Sequence, residues 1–127
     1  MRQGFEKHNE RDWYGAIAEY SKAIQTDPNH YLSANFYYGR AKAKMSVGDK
    51  VGSISDLTDS ILIDKKDANG RMLEIPEWEK RIYIAEKYKM RAKLLWEISE
   101  FRRACRDALD AYKLGLDTTD LMTDIGC

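Results

Sequence analysis

Slid along itself, the chain repeats. A shift of 37 residues places Asp12, Ala16, Ile17, Glu19, Tyr20, Ala23, Ile24 and Asp27 on Asp49, Ser53, Ile54, Asp56, Leu57, Ser60, Ile61 and Asp64. A further shift of 51 places Tyr37, Arg40, Ala41, Lys42, Asp49, Asp56 and Ser60 on Tyr88, Arg91, Ala92, Lys93, Glu100, Asp107 and Ala111. Small side chains fall on small ones and acids on acids. Three copies of one supersecondary unit constrain these 127 residues more than their composition does. A unit that cannot bury its apolar face alone has to stack on a neighbour.

Each copy is read as helix, turn, helix. Ala16, Tyr20, Ala23 and Ile24, and later Ala104, Ala108, Ala111 and Tyr112, recur at helical spacing. Turns such as Gly48-Asp49 and Ser99-Glu100 separate these stretches from Phe36–Val47 and Trp78–Ile98. Pro28 follows a helix and Pro76 stands where one begins. The expected helices are 1–10, 13–27, 32–47, 51–64, 76–98 and 101–114, with a short seventh at 118–125 N-capped by Asp117. Leu121, Met122 and Ile125 on one face of that piece would cover the end of the stack. The 76–98 helix carries an apolar line, Trp78, Ile82, Ala85, Tyr88, Ala92 and Leu95, and should overhang its partner.

These residues resemble the tetratricopeptide repeat, a 34-residue helical hairpin with small side chains where its helices cross. The pattern is read at Gly4, Trp13, Ala16, Tyr20, Ala23 and Pro28, again at Tyr37, Ala41, Gly48, Ser53, Leu57 and Ser60, and a third time at Tyr88, Ala92, Phe101, Ala104, Ala108 and Ala111. The chain departs from it in its longer periods, in Lys50 for an aromatic and in the smaller Ala108. The resemblance implies an all-α, right-handed solenoid of three hairpins in a single domain, 1–127. Its repeats lie at about 1–30, 31–67 and 76–116, with an insertion at 65–75 and a cap at 117–127. The tail from Ala104-Cys105 to the last cysteine is similar to the final repeats of many bacterial members and suggests a natural C-terminus.

Charge and motifs narrow the chemistry. With 21 Lys+Arg against 21 Asp+Glu the net charge is zero, which argues against binding nucleic acid through phosphate neutralisation. No apolar run approaches the roughly 20 residues of a membrane span, so no membrane partner is expected. The compartment stays open, with the cytoplasm favoured. Cys105 and Cys127 stand 22 residues apart without a C-x-x-C, and only His8 and His30 accompany them; reduced, buried thiols are expected rather than a zinc site or a bridge. Asp67-Ala68-Asn69-Gly70 imitates a calcium loop, but counting Gly70 as position 6 puts Lys65 and Pro76 at positions 1 and 12, where the ion needs carboxylates. There is no His-Glu-x-x-His, phosphate loop or Gly-x-Ser-x-Gly turn, and neither a catalytic residue, a metal nor a cofactor is assigned.

Two sets of residues remain. Arg40 precedes Asp56, and Arg91 precedes Asp107, by the same 16 residues, so each arginine should meet its aspartate across the hairpin and fix helix register; Gln3 and Glu19 stand at the same places in the first copy. By resemblance, first helices line a concave groove, whose inner positions are Met1, Phe5 and His8, then Tyr38, Lys42 and Met45, then Lys89, Lys93 and Trp96. Aromatics beside lysines suit an acidic, partly apolar peptide. Heat-shock-tail binders of the family use a lysine, asparagine and arginine clamp where this chain has Met1, Phe5, Gly39, Glu86 and Met90, so that ligand is not expected. The reading is a non-enzymatic protein-interaction scaffold whose groove residues are Phe5, Tyr38, Lys42, Lys89, Lys93 and Trp96. The alternative is a small-ligand-binding or enzyme-associated regulatory domain.

Overall fold

The computed structural model describes residues 12–28, 30, 32–66 and 76–127. Among them are six helices and no strand: α1 (Trp13–Thr26), α2 (Ser33–Ser46), α3 (Lys50–Lys66), α4 (Glu77–Glu97), α5 (Phe101–Lys113) and α6 (Thr119–Asp124). Each bound falls within two residues of its expected place. The helix expected at 1–10 lies outside the described residues, as do Phe5, His8 and the Asp67–Gly70 turn. The chain divides into two compact units, Met1–Ile63 and Asp64–Cys127. Lys65 and Lys66, expected to open an insertion, instead finish α3, where two lysines in the last turn complement the helix dipole.

In the first unit the repeated aspartates start the helices. Asp12 accepts the Gly15 amide at 3.0 Å and Asp49 accepts the Gly52 amide at 2.9 Å, each satisfying an N–H that the first helical turn leaves without a partner. Serines then draw α3 against α2: Ser53 donates to the Ala41 carbonyl at 2.8 Å and Ser60 to the Ala34 carbonyl at 2.7 Å, with both serines fully buried. Ile54, Leu57 and Ile61 fill the space between them. Gly39 lets the two neighbouring helices close, because a Cβ there would stand 2.6 Å from the Tyr20 ring of α1.

In the second unit α4 and α5 form the hairpin. Ala85, Ala92, Ala104, Ala108 and Ala111, all fully buried, set the close crossing, while Tyr88, Leu94 and Leu95 supply apolar bulk. With 21 residues against 13, α4 overhangs α5 by roughly 12 Å at 1.5 Å per residue. The overhang explains one departure from the expected apolar line: Trp78, in the first turn of α4, is 66% exposed. Lys87, 1% exposed, is neutralised by Asp64 within this unit.

The expected short C-terminal helix is present as α6, with Thr118 rather than Asp117 at its N-cap. Thr118, buried, donates to the Ala108 carbonyl at 2.7 Å, and Asp117 receives both the amide and the hydroxyl of Thr119. Those two bonds lower the Asp117 carboxyl below its ordinary value. Leu121, Met122 and Ile125 are half-buried. The cysteines correct the expectation of free, buried thiols: Cys105, half-buried, and Cys127, exposed, are joined in a disulfide with their Cα atoms 5.6 Å apart. The reason is the turn after α6, where Gly126 takes φ +80° and brings the chain back to the side of α5 that bears Cys105.

Candidate functional site

The two arginine–aspartate pairs are built alike. Arg40 donates from Nε to Asp56 Oδ2 at 2.9 Å and from Nη2 to Oδ1 at 2.7 Å; Arg91 donates to Asp107 through the same atoms at 2.7 and 2.9 Å. The guanidinium fork matches the carboxylate, and both aspartates are almost wholly buried. Hydrogen bonding to the aspartate holds each guanidinium above its ordinary pKa, against the opposing effect of burial. Each arginine also lies over a tyrosine ring three residues earlier, Arg40 at 5.4 Å from Tyr37 and Arg91 at 5.3 Å from Tyr88. Arg40 Nη1 donates in addition to Ser21 of α1 at 3.1 Å. Burial, reinforced by the charge of Asp56, raises the Asp59 carboxyl above its ordinary value. The bonds from each guanidinium fork to its aspartate thus join the two helices of a hairpin.

The expected groove residues fall on two helix faces. On α2, Lys42 is exposed and its ammonium sits 4.2 Å from the centroid of the half-buried Tyr38 ring, one turn earlier; Met45, 39% exposed, continues the face. On α4, Lys89, Lys93 and Trp96 follow at the same spacing, half-buried, exposed and 43% exposed respectively. None of Lys42, Lys89 and Lys93 forms an ion pair with a described residue. These faces therefore offer cations without internal counter-charge beside aromatic surface. Among the described residues no group of three His, Cys, Asp or Glu side chains could hold a metal ion, and no helix is long and apolar enough to cross a membrane.

A scan of protein families finds no match to this chain, and a search of curated proteins finds none either. Among solved structures, the first TPR of Spaghetti (RPAP3), bound to the HSP90 peptide SRMEEVD, superposes with a TM-score of 0.73 over 98% of this chain and 86% of that one, at 15% identity. The fold is tetratricopeptide-like. The all-α helical-repeat expectation thus holds, and the tetratricopeptide spacing explains why small residues recur wherever helices cross.

One surface of this tetratricopeptide-like chain escapes the repeat reading. Arg102, Arg106 and Lys113 on α5 are exposed, and Phe101, Leu109 and Tyr112 beside them are 53%, 42% and 49% exposed. Charges on the outer side of a helix read as ordinary solvation; the signal available was an apolar Leu109 in line with the cations, opposite the buried alanines.

Proposed function

We propose that the chain is a protein-interaction module that binds a peptide segment of acidic and apolar character through Tyr38 and Lys42 of α2 and Lys89, Lys93 and Trp96 of α4. Phe5, the sixth expected contact, is part of the same proposal. The observation that carries the reading is the pairing of unneutralised lysines with partly exposed aromatics at one-turn spacing on first helices of hairpins. A carboxylate supplies the missing counter-charge and an apolar side chain covers the rings, and a side-chain anchor of that kind concentrates binding energy. The solved neighbour binds a peptide with acidic residues, which supports the class of ligand. Its particular ligand is not proposed for this chain, because Gly39, Glu86 and Met90 supply no clamp of lysine, asparagine and arginine.

The test is selection of linear 12-residue peptides from a displayed random library on the intact chain, followed by affinity measurements on folded variants. Selected peptides should be acidic. Lys42→Glu and Lys89→Glu/Lys93→Glu should each weaken them with altered salt dependence, while Tyr38→Ala should cost about 2 kcal/mol largely independently of salt. Peptides that bind these variants as well as the native chain would refute the assignment, and stabilisation by small molecules with none by peptides would favour the ligand-binding alternative.

A further inference from the structure

The outer side of α5 carries a line of exposed cations that plays no part in the peptide-binding reading. Arg102, Arg106, Leu109 and Lys113 follow one another at intervals of four, three and four residues, a straight line along the helix about 16 Å long. All four are exposed. They lie opposite Ala104, Ala108 and Ala111, which are fully buried, so the line crowns the solvent side. None of the three cations pairs with a carboxylate among the described residues. Asp110, one turn beyond Arg106, is half-buried and forms no ion pair with it. Tyr112 and Phe101 flank the line on the side where the disulfide ties the tail to Cys105.

We propose that this face docks an acidic amphipathic helix of a partner protein, with carboxylates set against Arg102, Arg106 and Lys113 and an apolar side chain set against Leu109 and Tyr112. Charge complementarity selects an anion, and two features select a helix over a nucleic acid or a bilayer. The line is about three helical turns long. It has an apolar residue in its middle, which a phosphate backbone leaves unmatched.

The experiment uses the intact oxidised chain and a displayed library of 18-residue alanine-based helices randomised at four positions of one face. Binders are counter-selected on the folded Arg102→Glu/Arg106→Glu/Lys113→Glu variant. The expected winners carry Asp or Glu at positions spaced to meet the three cations and an apolar residue between them. They should lose about ten-fold or more in affinity on the charge-reversed variant and on Leu109→Glu, and keep it on Lys42→Glu/Lys93→Glu, which separates this surface from the faces of α2 and α4. The idea is overturned if no acidic helix depends on the three cations. It is equally overturned if duplex DNA or phosphatidylserine vesicles bind through them while the helices do not.

Discussion

Arg40 and Arg91 grip their aspartates with the same two bonds, yet Asp56 has a second cation, Lys44, at 3.1 Å, whereas the place equivalent to Lys44 in the second unit is taken by the buried Leu95. Asp107 has no second cation among the described residues. Repetition has preserved the forked pair and changed its surroundings: in the first unit the buried carboxylate sits in a small network, in the second it has one cationic partner among the described residues. Arg91→Ala should therefore cost about 3–5 kcal/mol, the penalty for stranding a buried charge. Arg40→Ala should cost nearer 1–3 kcal/mol, because Lys44 remains to satisfy Asp56. Denaturant unfolding of the two variants checks this, and equal costs would erase the distinction. Arg91→Met/Asp107→Leu should recover most of the Arg91→Ala loss, since apolar replacement of both partners leaves no orphan charge.

The second unit compensates with a covalent tie that the first lacks among its described residues. Closing a loop over a separation of 22 residues restricts the unfolded chain by about 3 kcal/mol in the chain-entropy account. Reduction, or the Cys105→Ser/Cys127→Ser variant, should lower stability by about that amount and free α6, with exchange of the Thr118–Cys127 amides rising before those of α4. Unchanged exchange in that segment would show that packing of Thr118, Leu121 and Met122 alone holds it.

How far the sequence foretold this follows from what a repeat can encode. The hairpins and the arginine–aspartate pairs were legible because equal spacing in two copies is itself evidence of equal position. Features that occur once were not. Lys87 occupies the place of Phe36 in the preceding copy, so its buried pairing with Asp64 has no periodic signal. The disulfide depends on the reversal at Gly126, which a 22-residue interval does not announce. Trp78 fits the helical apolar period, but α5 is too short to cover it. Of the candidate site, Tyr38 and Lys42 do share a face of α2, and Lys89, Lys93 and Trp96 follow at helical spacing on α4. The basic line on α5 went unread because a charged outer face is what any surface helix shows.

The smallest effect separates the two hairpin turns. Both close in the same way: Asp49 N–H reaches the Lys44 carbonyl and Glu100 N–H the Leu95 carbonyl, each at 2.8 Å, with the residue between in the left-handed region. That residue is Gly48 at φ +87° in the first unit and Ser99 at φ +68° in the second. A side chain in this conformation costs about 1–2 kcal/mol, from which glycine's larger loss of freedom on folding, about 0.5–1 kcal/mol, must be subtracted. Ser99→Gly should thus stabilise the chain by about 0.5–1 kcal/mol and Gly48→Ser destabilise it by a similar amount. The exchange is clean on both sides, because a Cβ on Gly48 would meet nothing within 4 Å and the exposed Ser99 hydroxyl bonds to no described residue. Unfolding midpoints of the two variants should move in opposite directions. A shift of the same sign would mean that the serine contributes something other than backbone strain to its turn.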